Sequence, residues 1–144
     1  MTVTHSTFTL ERVYPAPPKR VFAAWSDPAA KARWFAGATA DHHELDFRVG
    51  GREVVRGTHD NQVIACESHY QDIVPDERIV FASSLYEGTD LATVSVTTVE
   101  LRPDGDGTRL QLTEYGAFLD GREEPAWREQ GTAGQLAALA KEFS

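Results

Sequence analysis

Cysteine is almost absent from this chain of 144 residues, which has a single one, Cys66. One thiol cannot form an intrachain disulfide, and a chain without disulfides fits a reducing compartment. The first nine residues are polar and carry no apolar signal core. A cytoplasmic location is therefore the expectation.

Long apolar runs and basic clusters are also missing. No segment approaches the roughly 20 consecutive apolar residues that a membrane-spanning helix needs. The formal net charge is −8, and lysine and arginine do not cluster anywhere along the chain. Because phosphate backbones and anionic lipid surfaces attract dense positive charge, neither nucleic acid nor a membrane is an expected partner.

The composition that is present suits one globular domain. Hydrophobic residues make up 41% of the chain and charged residues 25%, as is ordinary for soluble globular proteins. A chain of this length can build one substantial core but has little room for a second. No repeat, low-complexity tract or linker-like stretch divides it, so we predict a single domain over residues 1–144.

The first third of the chain predicts a strand followed by two short helices. Residues 8–14 mix alternation with an apolar end, which indicates a strand, and prolines follow it directly. Residues 17–25 begin with two prolines, which suit the first turn of a helix. Asp27 is placed to cap a second helix over residues 28–35, which ends before an Ala-Gly turn.

The middle of the chain predicts a series of antiparallel strands. Apolar and polar residues alternate over residues 42–49, and the following Gly50-Gly51 is a strong hairpin signal because paired glycines allow the positive φ of tight primed turns. Further strands are predicted over residues 52–58, 63–74, 78–86, 91–101 and 109–116. In the strand over 91–101 the apolar parity changes at residues 97–98, which predicts a bulge or a change of buried face.

Residues 124–143 predict one long helix. Its apolar stripe contains Thr132, Leu136, Leu139, Ala140 and Phe143. Small residues lie nearly opposite this stripe and would let another element approach closely, so a homodimer is permitted. We predict an α+β fold in which a curved antiparallel sheet of six to seven strands wraps around this helix, with two short helices after the first strand.

Four sequence segments, taken in order, resemble those of a known family. They are residues 21–25 with Asp27-Pro28 and Trp34-Phe35, residues 46–51, residues 70–81 and residues 107–116. Together they are similar to the START-like (SRPBCC, helix-grip) superfamily, and more closely to the homologues of the activator of the 90-kDa heat-shock protein ATPase. The resemblance covers residues 8–143 and implies the helix-grip fold.

This resemblance implies three functions, which we rank. The first is non-catalytic binding of a small hydrophobic molecule in a cavity between the sheet and the terminal helix. The second is a cyclase or dehydratase activity, and the third is co-activation of a chaperone ATPase. A chaperone partner is the least expected, because the resembling eukaryotic proteins share that task with an extra domain for which this chain has no room.

The terminal helix departs from the family pattern. Resembling proteins usually carry a Gly-Trp pair where this chain has Gly131-Thr132. A threonine in place of a tryptophan on the inward stripe should enlarge or reshape the cavity beneath the helix.

Side chains on the predicted inward faces are candidates for lining such a cavity. Apolar walls would supply affinity, and a few polar groups would orient the ligand. The predicted ligand-binding residues are Trp34, Phe47, Arg56, Tyr70, Phe81, Val96, Leu112, Glu114, Thr132 and Leu136.

Glu114 and His69 are the candidates for an acid or base if the protein is an enzyme. Glu114 follows Leu110 and Leu112 on one predicted face, and a carboxyl group desolvated in an apolar cavity can exchange protons near neutral pH. The alternatives are that Glu114 is solvated on a fraying strand, or that Arg52 or Arg56 pairs with it.

No metal or cofactor is predicted. His42 and His43 are adjacent and would point to opposite faces of a strand, and the chain has no His-x-x-x-His or Cys-x-x-Cys spacing. No base or cation is placed beside Cys66, so a buried structural thiol is favoured over a nucleophile. Ser83-Ser84 and His69 form no nucleophile-elbow pattern, which disfavours a hydrolase.

Overall fold

Seven antiparallel strands and three helices make up residues 2–144 in a computed structural model of the protein. A π-helical turn, Ala32–Ala36, and a 3-10 turn, Lys141–Phe143, extend two of the helices. Along the chain the elements are β1 (Val3–Tyr14), α1 (Pro18–Ser26), α2 (Pro28–Lys31), β2 (Ala40–Leu45), β3 (Arg52–His59), β4 (Gln62–Val74), β5 (Arg78–Glu87), β6 (Asp90–Asp104), β7 (Gly107–Leu119) and α3 (Pro125–Ala140).

All seven strands belong to one sheet with the order β1-β7-β6-β5-β4-β3-β2. Strands β2 to β7 pair with their neighbours in sequence, and β1 pairs with β7, so every pairing is antiparallel. The sheet is open and curved around α3. The predicted α+β helix-grip architecture is confirmed. Within the part of the chain that the structure describes, no helix is long and apolar enough to cross a membrane.

The two short helices form where local sequence signals place them. Pro18 occupies the first turn of α1, where its missing N–H needs no partner. Asp27 caps α2, because its Oδ2 accepts a hydrogen bond of 3.1 Å from the Ala30 amide. The helix then continues as the π-helical turn and ends at Gly37, whose φ of +78° lies in the left-handed region.

The connection between β2 and β3 is longer than the tight turn that the sequence predicted. Strand β2 ends at Leu45 instead of residue 49, although the hairpin itself forms. A side chain on Gly51 would collide with the carbonyl oxygen of Asp46, and Gly50 has a φ of +85°. The loop docks on β4, because the Gly50 amide donates to the Tyr70 carbonyl oxygen at 2.9 Å. This docking replaces strand pairing over residues 46–51.

Strand β6 keeps one inward face along its whole length, which corrects the predicted change at residues 97–98. Thr97 and Val99 are both buried on the inner face, whereas Val94 is 42% exposed and lies with Val96 on the outer face. The only irregularity in its pairing with β5 lies beside Leu85. The prediction failed because the buried inner-face residues in the first half of β6 carry hydroxyl groups instead of apolar side chains. They are Thr93, Ser95 and Thr97.

The apolar core lies between the sheet and the second half of α3. Leu136 and Leu139 are fully buried there, and the hydroxyl of Tyr14 on β1 donates a 2.9 Å hydrogen bond to the Leu136 carbonyl oxygen. Phe143 contacts the Tyr14 ring with centroids 5.5 Å apart. These contacts fix the C-terminal half of α3 on the sheet.

A buried ion pair joins α2 to the sheet. Lys31 is 0% exposed, and its Nζ lies 2.7 Å from Oε1 of Glu53 on β3. His43 Nε2 lies 2.8 Å from the other carboxylate oxygen, and the Tyr70 hydroxyl donates to Oε1 at 3.3 Å. The ammonium group also lies 4.0 Å from the ring centroid of Phe35, where the π electrons stabilise a cation.

The surroundings of Glu53 determine its charge. Burial by itself raises the pKa of the Glu53 carboxyl, but the charge of Lys31 and the hydrogen bonds from His43 and Lys31 outweigh burial. The pKa of Glu53 therefore lies below its ordinary value of 4.5. Since this pKa is lower in the folded protein than in the unfolded chain, the ion pair stabilises fully above pH 4.5. That stabilisation is lost as the pH falls through the lower, folded-state pKa.

We expect Lys31→Met to lower the free energy of unfolding at pH 7 by about 3–5 kcal/mol, because it leaves a buried carboxylate without its cation. Urea denaturation measures the change. Arg33→Met is the matched control: it removes an exposed ion pair with Glu142 and should change stability little. Glu53→Gln should reduce the loss of stability between pH 5 and pH 3, and an unchanged acid dependence would contradict this account.

Candidate functional site

A cavity of about 290 Å³ lies between the inner face of the sheet and the first half of α3. The π-helical turn closes one side of it. Its wall contains all three tryptophans of the chain. The lining residues are Trp25, Trp34, Phe35, Ala36, Val55, Cys66, Ser68, Phe81, Ser83, Leu85, Thr97, Leu112, Glu114, Glu123, Trp127, Arg128, Gly131, Thr132, Gln135 and Leu136.

Small side chains on both walls account for the empty space. The sheet contributes Ser68, Ser83 and Thr97, which are buried on neighbouring strands. The helix contributes Gly131 and Thr132. The hydroxyls of Ser68 and Ser83 lie 2.7 Å apart and so satisfy each other.

A charged cluster forms the polar end of the cavity. Arg128 on α3 donates from Nη1 to Oε2 of Glu114 on β7 at 3.1 Å. Its Nε and Nη2 donate to the two carboxylate oxygens of Glu123, each at 3.0 Å. Thr97 donates to the other oxygen of Glu114 at 2.6 Å, and Thr93 donates to Glu123 at 2.6 Å. Two carboxylates therefore hold one guanidinium between the helix and the sheet.

The cluster changes the expectation for Glu114. This side chain is buried, as the sequence predicted, but it faces a guanidinium instead of an apolar wall. Its partner is Arg128, not Arg52 or Arg56. Burial by itself lowers the pKa of Arg128, but the hydrogen bonds from Arg128 to Glu123 and the charges of both carboxylates raise it above its ordinary value. Arg128 therefore stays charged inside the protein.

Aromatic and apolar side chains form the opposite end. The rings of Trp25 and Trp34 lie 4.7 Å apart at their centroids. The indole N–H of Trp34 donates to the Ala24 carbonyl oxygen at 2.8 Å. The indole N–H of Trp25 finds no acceptor among residues 2–144, although Trp25 is only 2% exposed. Trp127, which is 61% exposed, stands at the rim.

Cys66 stands in the wall that two hollows share. The second hollow, of about 350 Å³, lies toward β2 and also contains Ala36 and Val55 in its wall. Burial raises the pKa of the Cys66 thiol, in spite of the opposing charge of Arg128. The thiol is therefore protonated at neutral pH and is a weak nucleophile, as the sequence indicated.

Six of the ten predicted ligand-binding residues line the cavity. They come from the π-helical turn, from the two strands β5 and β7, and from α3. These six are Trp34, Phe81, Leu112, Glu114, Thr132 and Leu136.

The other four lie outside it. Phe47 and Tyr70 stand behind the wall, where Tyr70 contacts Phe81 with ring centroids 5.9 Å apart. Arg56 is exposed, and Val55 next to it takes the inward position. Val96 belongs to the outer face, because the inward residue is Thr97.

His69 also lies on the outer face, where its Nε2 is 3.5 Å from Glu67. It does not line the cavity, so it is not placed to serve as an acid or base there. His42 and His43 pair with different carboxylates, Glu44 and Glu53. In the described residues, no three histidine, cysteine or acidic side chains come together as a metal site requires.

Arg128 and Glu123 are two charged residues of the cavity lining that the sequence analysis missed. Arg128 lies four residues before Thr132, so extending the predicted stripe by one helical turn would have included it. An arginine on an inward stripe contradicts the usual preference for apolar residues. The inward position of Arg128 is explained by its ion pair with the buried Glu114 on β7.

We expect Arg128→Met to cost about 3–5 kcal/mol of the free energy of unfolding, because Glu114 and Glu123 would remain buried without their cation. The double variant Arg128→Met/Glu114→Gln should recover part of this loss. Chemical denaturation of the single and double variants gives the coupling energy. Strictly additive losses would show that the two side chains do not interact.

Comparisons with known proteins identify relatives along the whole chain. The family model described as "Activator of Hsp90 ATPase homolog 1-like protein" (AHSA1) matches residues 15–144. The crystal structure of the Mll3558 protein from Rhizobium loti is 48% identical, with 99% of each chain covered and a TM-score of 0.93. An uncharacterized protein from Rhizobium leguminosarum is 38% identical, with 99% and 96% covered and a TM-score of 0.94.

A more distant structure shares the fold alone. Ara h 8.0201 is 13% identical, with 97% of this chain and 98% of that chain covered and a TM-score of 0.77. Among curated proteins, none matches the chain. The family match and the helix-grip fold agree with the resemblance that the sequence showed. The chain is a member of the AHSA1 family within the START-like, helix-grip superfamily.

Proposed function

We propose that this protein binds a small hydrophobic molecule in the cavity between the sheet and α3. Proteins with this fold commonly bind hydrophobic ligands. The observation that carries the proposal is the aromatic lining of this cavity, which contains three tryptophans and two phenylalanines and lies beneath the first half of α3. Apolar walls with a few convergent polar groups are typical of small-molecule sites.

The size of the cavity favours a compact guest. About 290 Å³ lies at the lower limit of the roughly 300–1,000 Å³ that such sites enclose. One or two fused rings fit this volume better than a long acyl chain does. The rim at Trp127 and Gly131 is open, so a ligand can enter beside the first turns of α3.

The catalytic alternative has weaker support. A cyclase or dehydratase needs a group that exchanges a proton with its substrate. Glu114 lines the cavity, but it is held there in an ion pair with Arg128. The chaperone alternative is suggested by the name of the family, but no feature of the cavity supports it. Binding without turnover therefore explains the arrangement with the fewest additional assumptions.

Indole is a suitable first probe because it is compact, apolar and uncharged. We expect indole to raise the melting temperature of the protein and to appear as a one-to-one complex in native mass spectrometry. A ligand present at one hundred times its Kd stabilises a protein by about 2.7 kcal/mol. If neither indole nor any member of a panel of compact ring compounds binds, the proposal is wrong.

We expect Thr132→Trp to weaken indole binding at least tenfold, because the larger side chain fills the space beneath α3. Gly134→Ala is the control on the same helix: a β-carbon there meets nothing within 4 Å, and Gly134 does not line the cavity. The control should bind indole normally and gain about 1 kcal/mol of stability. Isothermal titration calorimetry measures both affinities. Normal binding by Thr132→Trp would place the site elsewhere.

A further inference from the structure

We propose that the cavity recognises its guest as a compact aromatic amine, in the protonated form, and rejects aromatic carboxylates of the same shape. The inference rests on the proposed function, because it names the chemistry of the ligand in that same cavity. It is carried by the charge of the polar end, by the hydrogen-bonding state of the groups there, and by the apolar surface of the aromatic end.

The polar end has an excess of negative charge. Glu114 and Glu123 are two carboxylates against the single guanidinium of Arg128, so the cluster has a formal charge of −1. No lysine, histidine or second arginine belongs to the lining of the cavity. The whole chain has a formal net charge of −8, which also attracts cations and repels anions.

Four of the five N–H donors of Arg128 are engaged by the protein, which leaves a single Nη2 hydrogen for an incoming anion. Its Nε and Nη2 donate to Glu123, and its Nη1 donates to Glu114 at 3.1 Å and to Ser95 at 3.5 Å. To receive a bidentate contact from Arg128, a ligand carboxylate would have to break one of its existing hydrogen bonds, and the charge-assisted ones are among the stronger in proteins. It would also meet two carboxylates at close range.

The carboxylate of Glu114, in contrast, can accept further hydrogen bonds. One oxygen of Glu114 accepts a hydrogen bond from Thr97, and the other accepts one from Arg128. A carboxylate oxygen has two lone pairs and so can accept another donor. An ammonium group offers three donors and the positive charge that balances the cluster. The Ser68 and Ser83 hydroxyls, which also line the cavity, can accept as well.

The aromatic end is suited to the ring of such a guest. Trp25 and Trp34 stand in the cavity wall there, with ring centroids 4.7 Å apart. Trp34, Phe81 and Leu112 offer the apolar surface for that ring.

Three compounds with one phenyl ring and different head groups test the inference. They are 2-phenylethylamine, 2-phenylethanol and 3-phenylpropanoate, each titrated by calorimetry at pH 7 and low salt. We expect the amine to bind at least tenfold more tightly than the carboxylate, with the alcohol between them. Thr132→Trp should lose the amine together with indole.

Charge-removing variants identify the source of the preference. Glu114→Gln and Glu123→Gln should each lower the ratio of amine to carboxylate affinity several-fold. Glu100→Gln removes the same charge from the exposed face of β6 and is the control for net charge. Circular dichroism and melting temperature confirm that each variant is folded.

The outcomes separate this inference from the proposed function. If the carboxylate binds as tightly as the amine, or if Glu100→Gln changes the ratio as much as Glu114→Gln does, the inference is overturned while binding in the cavity stands. The same holds if indole binds and none of the three phenyl compounds does. If indole and the whole panel of compact ring compounds also fail to bind, the proposed function falls with it.

Discussion

One helix has to cover the inner face of a sheet that is much wider than the helix. The second half of α3 solves this with apolar contacts, because Leu136 and Leu139 are buried against the sheet and Tyr14 holds the backbone at Leu136. The first half is held differently, through Arg128 and its two carboxylates. Between these two attachments the helix and the sheet carry small residues, and the cavity is what remains between them.

Two buried charge clusters stand on either side of this cavity. Lys31 and Glu53 tie the short helices to β3, and Arg128 ties α3 to β7. Buried ion pairs contribute little net stability compared with apolar residues of the same size, because desolvation offsets their attraction. We infer that these clusters fix the positions of the helices, and with them the shape of the cavity, more than they add to stability.

The parts of the structure that local sequence determines were predictable. The Asp27 cap depends on a residue three positions away, and the inward face of β5 follows from strict alternation of Ile79 and Phe81 with outward residues. The family segments added the order of the elements. Strand boundaries were less certain, as β2 shows, because the docking of its loop on β4 depends on a distant partner.

The polar residues at the site could not be predicted from local sequence patterns. The sequence suggested Val96 as the inward residue because apolar residues usually face the core, yet Thr97 is the one that faces α3. Arg128 and Lys31 were likewise not singled out, since a long cationic side chain is expected at the surface. Each is buried only because carboxylates from other elements meet it there, and a sequence does not reveal which elements meet.

The position of Cys66 has a practical consequence. It is the only cysteine of the chain, and its side chain stands in the partition between two neighbouring hollows. Because burial raises the pKa of this thiol, it would exchange with small disulfide-bearing fragments slowly at neutral pH and faster at alkaline pH, and always at one known point. Fragments retained there would map both compartments from the inside, without any engineered residue.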